Sequence, residues 1–308
     1  MNILLYIFLG LLILILLGLG GYLLLGLYLY RYSLSKKSKL KRSIERKSKD
    51  YLKDMKIDTD YFNKDIKTLN IISKDNLKLF GYYKDNGGQK LVILVHGFGG
   101  THVDMTNYAK LFEEKQYDIL AIDLRAHGRS EGDFVSLGFY EQEDLKLWVS
   151  EILKIKPNYK IVLFGISLGA STVCLSTSEL PSNVVLAIED SGFDNAWKEI
   201  EHIFKKTKLK LNLFLKVFYT YMKNTKGADL KKIDVQSNLK KSTIPILFIH
   251  GGNDDFVPTS MVYNLYEAVP QTRRELFVCN DASHVMSYSI ETMKYKRIVK
   301  SFLEKYYM

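Results

Sequence analysis

The stretch Ile161-Val162-Leu163-Phe164-Gly165-Ile166-Ser167-Leu168-Gly169 decides how the rest of the chain is read. Its four leading apolar residues, closed by glycine, have the pattern of a strand buried on both faces. A helical pattern over residues 168–178 follows at once. Ser167 then lies on a tight strand-to-helix turn, with glycine two positions to either side to relieve the crowding. The five-residue pattern is common by itself. Flanked by strand and helix, it marks Ser167 as a candidate nucleophile rather than a small-residue helix start.

Outward from this point the chain alternates strand and helix. Apolar runs at 91–95, 119–122, 184–188, 246–249 and 276–278 read as further strands, and 66–73 and 77–84 as two earlier ones. Helical patterns cover about 104–115, 140–153, 260–269 and 291–306. Strand and helix in repeated alternation predict an α/β fold, with a mainly parallel sheet of about eight strands covered on both faces. Residues 194–240 break the alternation, being helical in pattern and rich in Lys and aromatics. An insertion there would lie over the carboxyl edge of the sheet, where ligands bind in open α/β folds.

A serine hydroxyl needs a base to remove its proton and a third group to orient that base. Of the six histidines, His96 and His250 end apolar runs, His127 lies in a turn, and His102 and His202 are on a loop and a polar helix. His284 follows the last strand, at the sheet edge that also carries Ser167. The acid is expected after a late strand and before the histidine. Asp254 in His250-Gly251-Gly252-Asn253-Asp254-Asp255 is preferred, with Asp255 and Asp190 as alternatives. Two N–H donors for an oxyanion are expected at Leu168, next after the serine, and at Phe98 in His96-Gly97-Phe98-Gly99-Gly100. That glycine loop lacks the Lys-Ser/Thr of a Walker motif and the spacing of a dinucleotide fingerprint. The histidines lack ligand spacing with Cys or carboxylates, so no metal and no cofactor are expected. Cys174 and Cys279 read as small buried apolar residues, too few for a disulfide scaffold.

From about residue 66 to 306 the chain resembles the α/β-hydrolase family. Four separated motifs match in order: the His96–Gly100 loop, the turn Asp123-Leu124-Arg125-Ala126-His127-Gly128-Arg129-Ser130, the Ser167 turn, and the 250–258 segment with His284 after it. In the second, Ala126 stands where the family's turn usually carries glycine. The resemblance is nearest to bacterial membrane-tethered members of the serine aminopeptidase S33 type. It implies a Ser167–His284–Asp254 triad, but not a substrate, because that group's name is a poor guide to activity.

Most of the formal net charge of +10 lies in one place. Residues 1–30 carry no charged side chain, residues 31–50 hold nine Lys/Arg against two acids, and residues 57–308 are nearly neutral. A nucleic-acid partner therefore loses its main support. As a helix, residues 3–30 would extend about 42 Å, more than the roughly 30 Å of bilayer hydrocarbon. They are expected to form an uncleaved transmembrane anchor, since no positive stretch precedes them and no Ala-x-Ala site follows. Residues 31–57 are expected to be a basic juxtamembrane linker, solvated or drawn to anionic headgroups through residues 31–50. Residues 58–308 are expected to be the catalytic domain, with 194–240 as its cap. The positive-inside rule puts that domain on the cytoplasmic side, the extracellular face being the alternative. The expected activity is hydrolysis of an acyl ester, lipophilic or a thioester, with Phe214 and Phe218 of the cap touching substrate. Peptide hydrolysis and a non-catalytic binding role on the same fold are the alternatives.

Overall fold

The computed structural model describes residues 2–54, 57–205 and 212–307. Residues 55–56 of the expected linker and 206–211 of the expected cap, Leu209 and Leu211 among them, lie outside these. Eight strands form one sheet: β1 (Lys67–Ile72), β2 (Lys78–Lys84), β3 (Lys90–Val95), β4 (Asp118–Ile122), β5 (Lys160–Ile166), β6 (Val184–Asp190), β7 (Ile246–Gly251) and β8 (Arg274–Cys279). Their spatial order is β1-β2-β4-β3-β5-β6-β7-β8. β2 is antiparallel to both β1 and β4, and every later pairing is parallel.

Two helices precede the sheet, α1 (Asn2–Ser33) and α2 (Lys39–Asp54). Among and after the strands come α3 (Thr106–Glu113), α4 (Glu141–Ile155), α5 (Leu168–Ser176), α6 (Ala196–Lys205), α7 (Asn212–Lys226), α8 (Val235–Leu239), α9 (Ser260–Ala268), α10 (Ser287–Ile290) and α11 (Thr292–Tyr306). The pleat of β3 explains why its run is wholly apolar. Leu91, Ile93 and Val95 face a core with Leu145, Trp148 and Val149 of α4. Val92 and Leu94 face the opposite core, with Leu111 and Phe112 of α3 and Tyr295, Val299 and Phe302 of α11. Alternate residues of 91–95 thus fill two separate layers, and none of these five positions can be polar. The cap expected at 194–240 comprises α6, α7 and α8 between β6 and β7.

The N-terminal segment departs from its expected division into anchor and spacer. None of residues 3–25 is buried. At about 1.5 Å per residue they extend about 34 Å, already close to the hydrocarbon thickness. Gly26, Leu29, Tyr30, Ser33 and Leu34 are buried, on the i, i+3, i+4 spacing of one helix face. A Cβ on Gly26 would come within 2.8 Å of Tyr221 Cβ on α7, so glycine is what lets the two helices meet. The Tyr30 and Tyr221 rings lie 5.6 Å apart, and the Tyr30 hydroxyl donates to the Asp133 carbonyl at 3.2 Å. The surplus length of the apolar run is therefore part of the core of the folded domain.

Nor is α2 a solvated spacer. Lys41 and Leu52 are buried, and Lys41 is paired with Glu45. The Ser48 hydroxyl donates to Asp104, and Tyr51 shares a hydrogen bond with Ser289. Desolvated apolar side chains on one face hold the helix down, while its other basic residues stay outside.

Candidate active site

The β5–α5 turn places Ser167 in the left-handed region, at φ 53° and ψ −120°. L-residues avoid that conformation, so it persists only where the surroundings hold it. Here they do. A Cβ on Gly165 would lie 2.3 Å from the Gly169 carbonyl oxygen, and one on Gly169 would lie 2.1 Å from that of Val95. Only glycine at both positions lets the helix start this close to the sheet. The Ser167 N–H donates to the Asp190 carbonyl at 2.8 Å, tying the turn to β6.

His284, on the loop after β8, points its Nε2 at Ser167 Oγ, 2.9 Å away. Its Nδ1–H donates to Asp254 Oδ2 at 2.7 Å. Asp254 Oδ1 accepts the N–H groups of Phe256 (2.9 Å) and Val257 (2.8 Å), while Oδ2 also lies 3.3 Å from His250 Nε2. Burial pushes the Asp254 carboxyl up. Hydrogen bonds from His250 and His284 more than offset this and hold it well below the usual carboxylate range. A fixed carboxylate on Nδ1 leaves Nε2 free to accept the serine proton. The alternatives to Asp254 do not reach the imidazole. Asp255 is exposed, and its carbonyl accepts from His202. The Asp190 carboxylate accepts from Tyr295 and Ser191, and burial lifts its pKa to about 6.

Phe98 and Leu168 flank the serine. Leu168 is the first residue of α5, where a helix leaves its N–H without an intrahelical partner. Among the described residues no hydrogen bond takes up the Phe98 N–H. Two histidines that the sequence offered no reason to choose hold this glycine loop. His96 Nε2 accepts the Leu124 N–H at 3.0 Å, and its Nδ1–H donates to the Gly97 carbonyl at 2.7 Å. His127 Nε2 accepts the Gly99 N–H at 3.0 Å, and its Nδ1–H donates to the Arg125 carbonyl at 2.9 Å. Burial pushes both pKa values down, so both rings are neutral and each uses one nitrogen as acceptor and one as donor. The turn carrying His127 keeps a left-handed residue although glycine is replaced: Ala126 has φ 61°.

Two cavities meet at Ser167. The wide one, about 520 Å³, is bounded by His284 and Met286 on one side and by Ile44, Lys47, Tyr51 and Leu52 of α2 on the other. The narrow one, about 70 Å³, is lined by Leu168, Phe193 and Phe218 together with Leu34 and Leu40, none of which lines the wide one. Of the two cap aromatics singled out from sequence, Phe218 lines the narrow cavity, whereas Phe214 packs against the core and lines neither. The residues missed by sequence reasoning are those of the N-terminal segment. Leu40, Ile44, Tyr51 and Leu52 follow a helical spacing in an otherwise basic stretch, and that periodicity was the available signal. Among the described residues no group of three or more His, Cys, Asp or Glu could hold a metal ion. Ile3–Ser33 is the one helix among them long and apolar enough to cross a membrane, a test that a signal sequence also passes.

Known proteins point the same way. The family model described as serine aminopeptidase, S33, matches residues 88–216. "Uncharacterized protein YqkD" of Bacillus subtilis (strain 168) is 29% identical over 217 residues, spanning 69% of this chain and 70% of its own. The monoglyceride lipase of Rattus norvegicus is 23% identical over 250 residues, spanning 70% of this chain and 82% of its own. Among solved structures, the Pyrococcus furiosus esterase Pf2001 superposes with a TM-score of 0.65 at 27% identity, covering 83% of this chain and 94% of that one. With a mainly parallel eight-stranded sheet, a serine at the β5–α5 turn and these relatives, the chain has the α/β-hydrolase fold and is similar, over residues 88–216, to the serine aminopeptidase S33 hydrolases.

Proposed function

We propose that the chain is a membrane-anchored serine hydrolase of carboxylic esters, acting through Ser167, His284 and Asp254. The observation that carries this reading is the unbroken relay from Asp254 to His284 to Ser167, at 2.7 and 2.9 Å, opening into a largely apolar cavity. Ser167 Oγ attacks the acyl carbon while His284 Nε2 takes its proton. The oxygen that becomes anionic is held by the Phe98 and Leu168 N–H groups. Collapse expels the alcohol, which takes the proton from His284 Nε2–H and leaves Ser167 acylated. Water, activated by the same nitrogen, then releases the acid and restores the hydroxyl. Asp254 keeps the imidazole in one tautomer and stabilises the imidazolium that forms.

The esterase and lipase relatives favour an ester over an amide. The exposed apolar length of α1, about 34 Å by its rise per residue, favours a span. The basic residues that follow it favour the cytoplasmic side for the domain. A fluorophosphonate probe tests the chemistry: it should label the folded wild type and not Ser167→Ala. Folded wild type that stays unlabelled and turns over no ester would overturn the reading. Protease added to intact cells tests the side, since digestion of the domain there would place it outside.

A further inference from the structure

The two cavities differ in one wall that matters chemically. His284 and its neighbours Ser283, Val285 and Met286 bound the wide cavity, and none of them lines the narrow one. In ester cleavage the leaving oxygen must lie within hydrogen-bond reach of His284 Nε2 to receive its proton. The leaving group therefore belongs on the His284 side, in the wide cavity. The acyl tail then points the other way, past Leu168 and Phe193.

We propose that the narrow cavity is the acyl site and that Leu34 at the foot of the anchor helix, with Leu40, builds its end wall. The substrate class that fits is an ester of a short-to-medium acyl chain with a bulky alcohol. This rests on the serine hydrolase reading and adds to it which part of the substrate lies where. One water needs roughly 10–15 Å³ of such free space, so the narrow cavity holds about five to seven water-sized groups. That is room for a tail of about four to eight carbons. Its walls are mostly aliphatic and aromatic, with Leu34 and with Ile200, Phe204 and Phe218 of the cap among them, and Glu199 and Ser33 are polar members.

The end wall is held firmly. Leu34 is buried, and its carbonyl accepts the Val135 N–H at 2.9 Å. The preceding helix end is fixed to α7 through Tyr30 and Gly26. The wide cavity offers a different chemistry. Lys47, Ser48 and Asn107 stand among its apolar walls, suited to an alcohol that is large and amphiphilic. The membrane helix on this reading is a specificity element as well as a tether.

The test uses the full chain in detergent and p-nitrophenyl esters from acetate to hexadecanoate, whose common leaving group isolates the acyl part. Wild type should show its highest kcat/KM between about butanoate and octanoate, with a fall of about tenfold or more by dodecanoate. Leu34→Ala should raise the dodecanoate-to-butanoate ratio about fivefold or more, and Leu34→Phe should lower the octanoate-to-acetate ratio by a similar factor. Should Leu34→Ala fail to fold, Leu40→Ala, at the same wall, should move the ratio in the same direction. A wild type that prefers dodecanoate or longer, or Leu34 and Leu40 variants that change every ester by one factor, would overturn the assignment while the hydrolase reading stands. Folded wild type without any Ser167-dependent ester hydrolysis would overturn both.

Discussion

The Ser167 turn and the segment from Gly26 to Leu52 both wall the same cavities, yet they are encoded in opposite ways. The turn is written in nine consecutive residues, because each steric demand is met by a neighbour a few positions away or by the next strand. Gly165 answers to Gly169, and Gly169 to the backbone of Val95. The N-terminal segment meets its partners across the molecule: Gly26 against Tyr221, Leu34 against Val135, Ser48 against Asp104, Tyr51 against Ser289. The turn that holds the serine is thus local in sequence, and the wall that the N-terminal segment gives both cavities is not. A basic composition disguised the second region as a spacer, since between residues 31 and 52 nine Lys and Arg outnumber the few apolar residues that dock it.

The largest effect should come from the local region. Ser167→Ala should cut kcat by about four orders of magnitude or more at unchanged folding, and Asp254→Asn by several orders, whereas Asp255→Asn should stay near wild type. Ester kinetics alongside circular dichroism would check this, and a dead Asp255→Asn with a live Asp254→Asn would reassign the acid.

Truncation probes the distant region directly. A chain beginning at Leu25 keeps every buried residue of α1 and should hydrolyse a water-soluble ester at close to the full-length rate. A chain beginning at Asp58 strips one wall from both cavities and exposes Phe98, Phe218 and Phe256. It should aggregate or lose about tenfold or more in kcat/KM, because a newly bared apolar patch of this kind drives association. Equal activity of the two truncated chains would mean that the N-terminal segment is a spacer after all.

Within the cap the contrast is smaller and equally specific. Phe218→Leu should change the octanoate-to-butanoate ratio by about fivefold, near 1 kcal/mol, while Phe214→Leu should change it by less than about twofold. Matching effects from both would make the helix a general support rather than a wall of the acyl site.

The smallest effect is one of pH. His127 is neutral in the folded chain because burial holds its pKa well below the ordinary value near 6.5. The unfolded chain takes up this proton first as pH falls. Stability from the neutral ring is therefore complete above about pH 6.5 and is lost progressively below it. His127→Gln should be less stable at pH 8 yet should lose fewer degrees of Tm than wild type between pH 7 and 5.5. An identical Tm slope in both proteins would show that another group dominates the acid limb.

How far the sequence reached can be judged residue by residue. The wholly apolar runs at 91–95 in β3 and 161–164 in β5 were plain because burial on both faces leaves no alternation to confuse. The relay residues were plain because their order along the chain follows the order of strands in a parallel sheet. Phe214 and Phe218 looked alike, since four residues apart on a helix they share a face. Only the way α7 sits against α1 and the core separated them, putting Phe218 at a cavity and Phe214 beside it. His96 and His127 were passed over because their work is to accept backbone N–H groups about 28 residues away, which leaves no local pattern.

By itself, the sequence determined a parallel α/β sheet, a serine on a tight turn, an imidazole and acid at the same sheet edge, and an apolar N-terminal run. Each follows from hydrophobic period, glycine sterics or the direction of parallel strands, which are properties of short segments. Tertiary structure decided where the apolar N-terminal helix stops being exposed surface and becomes domain core, near Gly26. It also decided that the basic helix lies over the serine, and that one cavity is wide and the other narrow. These depend on which side chains meet across distant segments, and such meetings are settled by packing volume, which no local pattern records.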